Sequence, residues 1–195
     1  GHTLFYDIID YEQKYVRLVP EFDDDDNYDT PPAGDLIIPG EVEFEGETYS
    51  VISIESSCFR RCTKITSVIV QEGIKSIESN AFGDCSKIKN IVLPNSLEEL
   101  DYPFVFCTSL QSITLSNSLT TICNGLFWGC ESLESVVIPN SVTSMGTSVF
   151  YLCANLKSVT LPEGITKLKQ STFAKCNNLS SVNIPSTVTS IGMEA

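Results

Sequence analysis

The sequence predicts a mostly β solenoid: short parallel strands, one per coil of about 23 residues, stacked coil upon coil behind an N-terminal β cap. Three observations carry this prediction. Phenylalanine recurs at Phe59, Phe82, Phe104, Phe127, Phe150 and Phe173, at intervals of 23, 22, 23, 23 and 23 residues. Each is followed three positions later by a cysteine: Cys62, Cys85, Cys107, Cys130, Cys153 and Cys176. Three columns of aliphatic side chains follow in every unit. A unit of this length cannot bury its apolar columns alone, but stacked neighbours bury them as one core.

The first aliphatic column is Ile65, Ile88, Leu110, Leu133, Leu156 and Leu179. The second is Val68, Ile91, Ile113, Val136, Val159 and Val182, and the third Val70, Leu93, Leu115, Ile138, Leu161 and Ile184. Together they spell L-x-x-V-x-I, the leucine-rich-repeat phrase, at a period inside the range such repeats use. The last two positions alternate with period two, as a strand with one buried face requires, and Pro94, Pro139, Pro162 and Pro185 then end the strand. A further aliphatic pair, such as Val142 and Met145 or Ile165 and Leu168, marks a second extended or turn segment per coil. The fold class is therefore a leucine-rich-repeat solenoid, with six strands spanning roughly 24 Å between the outermost two. Its units start at the six phenylalanines, and residues 36–58 form an enlarged first unit. These aromatic and cysteine columns are the expected structural core.

Departures from the pattern are informative. Gln71 and Ser116 stand where Pro is usual, and Asp101-Tyr102-Pro103 replaces four residues, so the turn side should distort there. The last unit stops at Ala195, where the next Phe is expected, so either the parent protein continues or the last coil frays or pairs with another molecule. The start at Gly1-His2, without Met, reads as processed or engineered.

Residues 1–35 read as an acidic β cap, with strand-like alternation in Leu4 to Ile8 and Tyr15 to Val19 suggesting a hairpin. Within the enlarged unit, Leu36-Ile37-Ile38-Pro39 is a strand with its stop, Glu45-Gly46-Glu47 a turn, and the run from Tyr49 to Ile54 a second strand. Charge separates this end from the rest. Residues 1–50 hold 14 acidic and 2 basic side chains, net −12 of the chain's −13. Neither part clusters Lys and Arg, so nucleic acid and anionic membranes are poor partners. No apolar run reaches the roughly 18 residues a membrane span needs, so no membrane insertion of this segment is expected.

The repeated thiol has a plain reading. Free Cys behaves as a small buried hydrophobe, no C-x-x-C occurs, and the only histidine is His2, so neither metal nor cofactor is expected and all eight cysteines should be free. Asp23 to Asp26, with Asn27 and Asp29, could hold a hard cation, but Tyr28 occupies the position where a calcium loop needs Gly, and a solvated acidic loop is the better reading.

The unit C-x-x-L-x-S-V-x-I-P-x-x-V-x-x-I-x-x-x-x-F, nearly complete over residues 130–150 and 153–173, resembles the BspA-like leucine-rich repeat of bacterial surface proteins. The match covers about residues 36–195. That resemblance implies a curved solenoid with a regular inner sheet, a secreted or cell-surface location, and adhesion to extracellular or host proteins. It implies no catalytic site.

No nucleophile, base or metal cluster can be nominated, so the expected function is a non-catalytic protein-binding module, or alternatively a structural spacer in a longer surface protein. Two faces compete for the site. The strand face presents Ile69, Val92, Thr114, Val137, Thr160 and Asn183, uncharged and small, with no strong anchor. The turn after each Phe is different: stacking brings Val105, Phe106, Trp128, Tyr151 and Leu152 together there. Either they form a binding patch, or they fold over the coil edge as extra core.

Overall fold

A computed structural model describes residues 2–21, 28 and 30–195. The acidic run of Asp23 to Asp26, Asn27 and Asp29 lies outside the described residues. The N-terminal part contributes five strands, Phe5–Asp10 (β1), Tyr15–Val19 (β2), Ala33–Ile38 (β3), Glu41–Phe44 (β4) and Glu47–Ile54 (β5). The coils from Phe59 onward add pairs of short strands: Lys64–Val70 (β6) and Ser76–Ile77 (β7), Asn90–Val92 (β8) and Glu99–Leu100 (β9), Ser112–Thr114 (β10) and Thr121–Ile122 (β11). Ser135–Val137 (β12) and Ser144–Met145 (β13), Ser158–Thr160 (β14) and Lys167–Leu168 (β15), and finally Ser190–Ile191 (β16) complete the stack. No helix occurs among the described residues.

The strands stack in parallel, in the register the repeat dictates. Val68 lies beside Ile91, and Ile91 beside Ile113, each one repeat apart. β3 pairs with β6 as the first strand of this sheet, so Leu36 and Ile38 continue the two buried columns. The intervening residues point to solvent as the alternation requires: Ile37, Ile69, Val92, Val137, Thr114 and Thr160 are exposed. The flanking serine column is internally hydrogen-bonded; the Ser67 hydroxyl donates to Asp35 at 2.6 Å and Ser112 to Asn90 at 2.6 Å.

The sixth strand expected from Leu179, Val182 and Ile184 does not form: Val182 is only partly buried and Ile184 is exposed. Its phrase is intact, but among the described residues no coil covers its far side. Phe173 and Cys176 are partly buried for the same reason, where the other five phenylalanines and the cysteines before them in the column are fully enclosed.

The phenylalanine rings stack face to face at 5.2 Å between Phe59 and Phe82 and 5.4 Å between Phe127 and Phe150. At the N-terminal end the column continues through Tyr28, stacked nearly parallel to Phe59 at 5.9 Å, and then Phe5 at 6.2 Å. The antiparallel hairpin of β1 and β2 runs beside β5, which also carries β4 on its other edge. The β4–β5 turn sits at Glu45 and Gly46, both with positive φ.

All eight cysteines are free. The repeated thiol does more than fill space: Cys85 donates to the carbonyl of Phe59 in the coil before it at 3.0 Å, and Cys107, Cys130, Cys153 and Cys176 repeat this on Phe82, Phe104, Phe127 and Phe150. Alanine in this slot would leave each carbonyl one donor short. Burial pushes the Cys85, Cys107 and Cys130 thiols far above their ordinary range, which holds them neutral as donors.

Ser116, in place of proline, is fully buried and converts the strand stop into hydrogen bonds: its hydroxyl donates to Asn95 O at 3.2 Å and accepts the N–H of Ser118 at 3.1 Å.

Candidate functional site: an aromatic ridge on the turn side

Each Phe sits between two residues in the left-handed region. Two positions before it, Ser57, Asn80, Tyr102, Gly125, Ser148 and Ser171 have φ between 54 and 58° except Tyr102 at 51°. Two positions after it, Arg61, Asp84, Phe106, Gly129, Leu152 and Lys175 have φ between 54 and 74°. This pair of reversals folds the chain tightly around the buried ring. A cross-coil ladder holds it, with Phe59 N–H bonded to Ala81 O and Phe127 N–H to Val149 O. Left-handed φ costs about 1–2 kcal/mol for a residue with a side chain, so glycine is the relaxed choice and only two of these positions beside the middle coils have it.

Those two glycines build the site. A Cβ on Gly125 would lie 2.3 Å from Cε2 of Tyr102, and one on Gly129 would lie 2.4 Å from Cδ1 of Phe106. The rings of Tyr102 and Phe106, on either side of Phe104, therefore each rest on a glycine beside Phe127. Trp128 stands between: it meets Tyr102 edge-on at 6.3 Å and Tyr151 edge-on at 5.1 Å. Tyr102, Trp128 and Tyr151 thus form a continuous aromatic ridge across three coils, with Phe106 beside it at 41% exposure and Leu152 half-buried in the following coil. The Trp128 indole N–H is buried and meets no acceptor among the described residues.

Of the five residues the sequence nominates for this patch, the structure keeps four at the surface and corrects one. Val105 is 6% exposed. Its position falls one residue after Phe104, in the coil that follows the shortened one, and the side chain turns under the ridge as extra core. Tyr102 replaces it. That residue belongs to the Asp101-Tyr102-Pro103 irregularity, and its distortion is visible in one bond: the Tyr102 N–H is bonded to the Cys123 thiol at 3.2 Å, where the corresponding N–H of Ser148 reaches a backbone carbonyl of the next coil. The irregularity was legible as a break in period; its aromatic content was the signal that it joins the site. Burial raises the Tyr102 phenol above its ordinary value, so it stays a neutral donor.

The ridge is apolar and π-rich, suited to contact rather than to proton transfer. Among the described residues no three of His, Cys, Asp and Glu come together as metal ligands, and no helix is long and apolar enough to cross a membrane.

A sequence profile of the BspA type leucine rich repeat region matches six copies over residues 42–126 and 100–195. The chain belongs to the BspA-type leucine-rich-repeat family. Solved structures agree with this membership. A leucine-rich-repeat protein of T. pallidum superposes with a TM-score of 0.80 at 28% identity, over 97% of this chain and 83% of that one. Another from Bacteroides ovatus gives 0.83 at 26%, over 98% of this chain and 48% of its own. A leucine-rich cell surface protein from Faecalibacterium prausnitzii gives 0.80 at 26%, over 98% and 51%. The chain spans about half the length of the last two. No curated protein sequence matches it. BspA-type leucine-rich-repeat proteins are a generally non-catalytic family, and the solved relatives are bacterial.

Proposed function

We propose that this BspA-type chain is a non-catalytic binding module of a secreted or cell-surface protein, which adheres to extracellular or host proteins through the ridge of Tyr102, Trp128 and Tyr151 flanked by Phe106 and Leu152. The observation that carries the reading is the pair of glycine seats: Gly125 and Gly129 hold two rings against the solenoid wall and give an apolar, rigid surface with little side-chain entropy left to lose on binding. Tyr and Trp are the residue types most often found where binding energy concentrates. A surface location draws support from the F. prausnitzii relative, itself a cell surface protein.

A spacer without a ligand of its own is the second reading, and the burial of Val105 together with the half-burial of Trp128 favours it. Binding of the whole chain to immobilised fibrinogen, fibronectin and host-cell surfaces separates the two. Saturable binding that the Trp128→Ala/Tyr151→Ala pair abolishes, with the β-sheet circular dichroism unchanged, is the expected result. Equal binding by both proteins removes the ridge from the site, and binding by neither leaves the spacer.

A further inference from the structure

The N-terminal end carries a second surface with opposite chemistry. β1 has one strand neighbour, β2, among the described residues, so its other edge presents a row of backbone donors and acceptors over six residues. Beside it lies a groove of about 560 Å³ lined mainly by Leu4, Tyr6, Ile8, Val42 and Phe44, with Glu43 at the rim. Leu4, Tyr6, Ile8 and Val42 are only partly buried and Phe44 is 52% exposed, although its ring meets Tyr49 edge-on at 6.4 Å.

Charge decides what fits this groove. Of the acidic side chains in the first 50 residues nine lie among the described residues, against only two cations, Lys14 and Arg17. Both are engaged within the chain: Lys14 pairs with Glu47, and Arg17 with Asp7 and Glu55 at 3.2 Å each. We infer that β1 and its groove dock a cationic, extended segment of a partner protein, which adds to the sheet edge as a further strand, sets alternate apolar side chains into the groove and turns its Lys and Arg toward the surrounding carboxylates. A second copy of this chain is the wrong occupant, because it would bring a like-charged end against this one. This surface is separate from the aromatic ridge, so either can fail without the other.

The test is isothermal titration of the whole chain with an alternating Lys-Val peptide of about ten residues, long enough to span a strand, at about 0.05 M and about 0.3 M salt, where surface charges are progressively screened. Binding that weakens about tenfold or more at the higher salt, that is absent for a Glu-Val peptide, and that backbone N-methylation of the peptide abolishes, is expected. Phe44→Ser, at an exposed side chain, should weaken it about tenfold, while Trp128→Ala/Tyr151→Ala should leave it unchanged. No binding, binding indifferent to N-methylation and to Phe44→Ser, equal binding of the Glu-Val peptide, or self-association of the chain that Phe44→Ser abolishes, each overturns the inference.

Discussion

The coil that starts at Phe127 and the coil that starts at Phe173 follow one template, yet they differ in what their residues become. Phe127, Cys130 and Leu133 are fully enclosed, and Ser135–Val137 is a strand. Phe173, Cys176, Leu179 and Val182 are only partly buried, and their phrase forms no strand. Among the described residues the first coil is covered on both faces of the stack, the second on one. The repeat phrase is thus a capacity for core and sheet that only a neighbour realises, because an apolar column is driven inward by the area its neighbours remove from water.

The strongest way to break this comparison is to truncate the same side chain in each coil. Phe127→Ala should destabilise the chain by about 3–5 kcal/mol, as for a large aromatic deleted from a closed core. Phe173→Ala should cost less than about half of that, since part of its ring already faces water. Urea denaturation followed by circular dichroism measures both; equal losses would refute the idea that covering decides the energy.

Backbone strain gives a sharper pair. Gly129 and Lys175 occupy the same left-handed position, at φ 74 and 65°. Gly129→Ala meets the Phe106 ring and should cost about 1–3 kcal/mol through overpacking and strain. It should also change the Trp128 fluorescence by moving the ridge. Lys175→Gly should instead stabilise by up to about 1 kcal/mol. The same denaturation assay checks both, and a destabilising Lys175→Gly would count against relief of strain at that position.

The smallest expected difference lies in the thiols, and it depends on pH. Burial raises Cys130 well above its ordinary 9.0, while Cys176 is pushed up to about 11. Below pH 9 both the folded and the unfolded thiol are neutral, and the folded state keeps its full stability. As pH rises above 9 the unfolded chain releases protons that the folded one retains, so stability falls by about 1.4 kcal/mol per pH unit for each fully buried thiol. For Cys176 that loss ends near pH 11. Cys130→Ala should therefore show a flatter decline between about pH 9 and 10 than the parent chain. Alkylation of the native protein should label Cys123 and Cys176, both partly exposed, before Cys130. Labelling of Cys130 at the rate of Cys176 would sink the account of the thiol column.

Much of this molecule is written in its spacing. The period of 23 residues, the alternation after each Leu or Ile and the terminating prolines determine a stacked parallel sheet, its register and which residues line its inside, because side-chain direction along a strand has a fixed period of two. The exposed ladder of Ile69, Val92 and Val137 and the enclosed columns beside it follow from that rule alone. So does the region of the ridge, since one position in a repeat is one position in space. Three features were settled only in three dimensions. Val105 went inward although it holds the place in its coil that Trp128 and Tyr151 hold in theirs, and Tyr102 brought a ring against Trp128 instead. Gly125 and Gly129 became seats for rings one coil away, a contact more than 20 residues distant in sequence. Tyr28 became the end of the phenylalanine stack from outside the repeat altogether. Periodicity fixes what a coil does to its neighbours when all coils are alike; where the coils differ, the tertiary contacts decide.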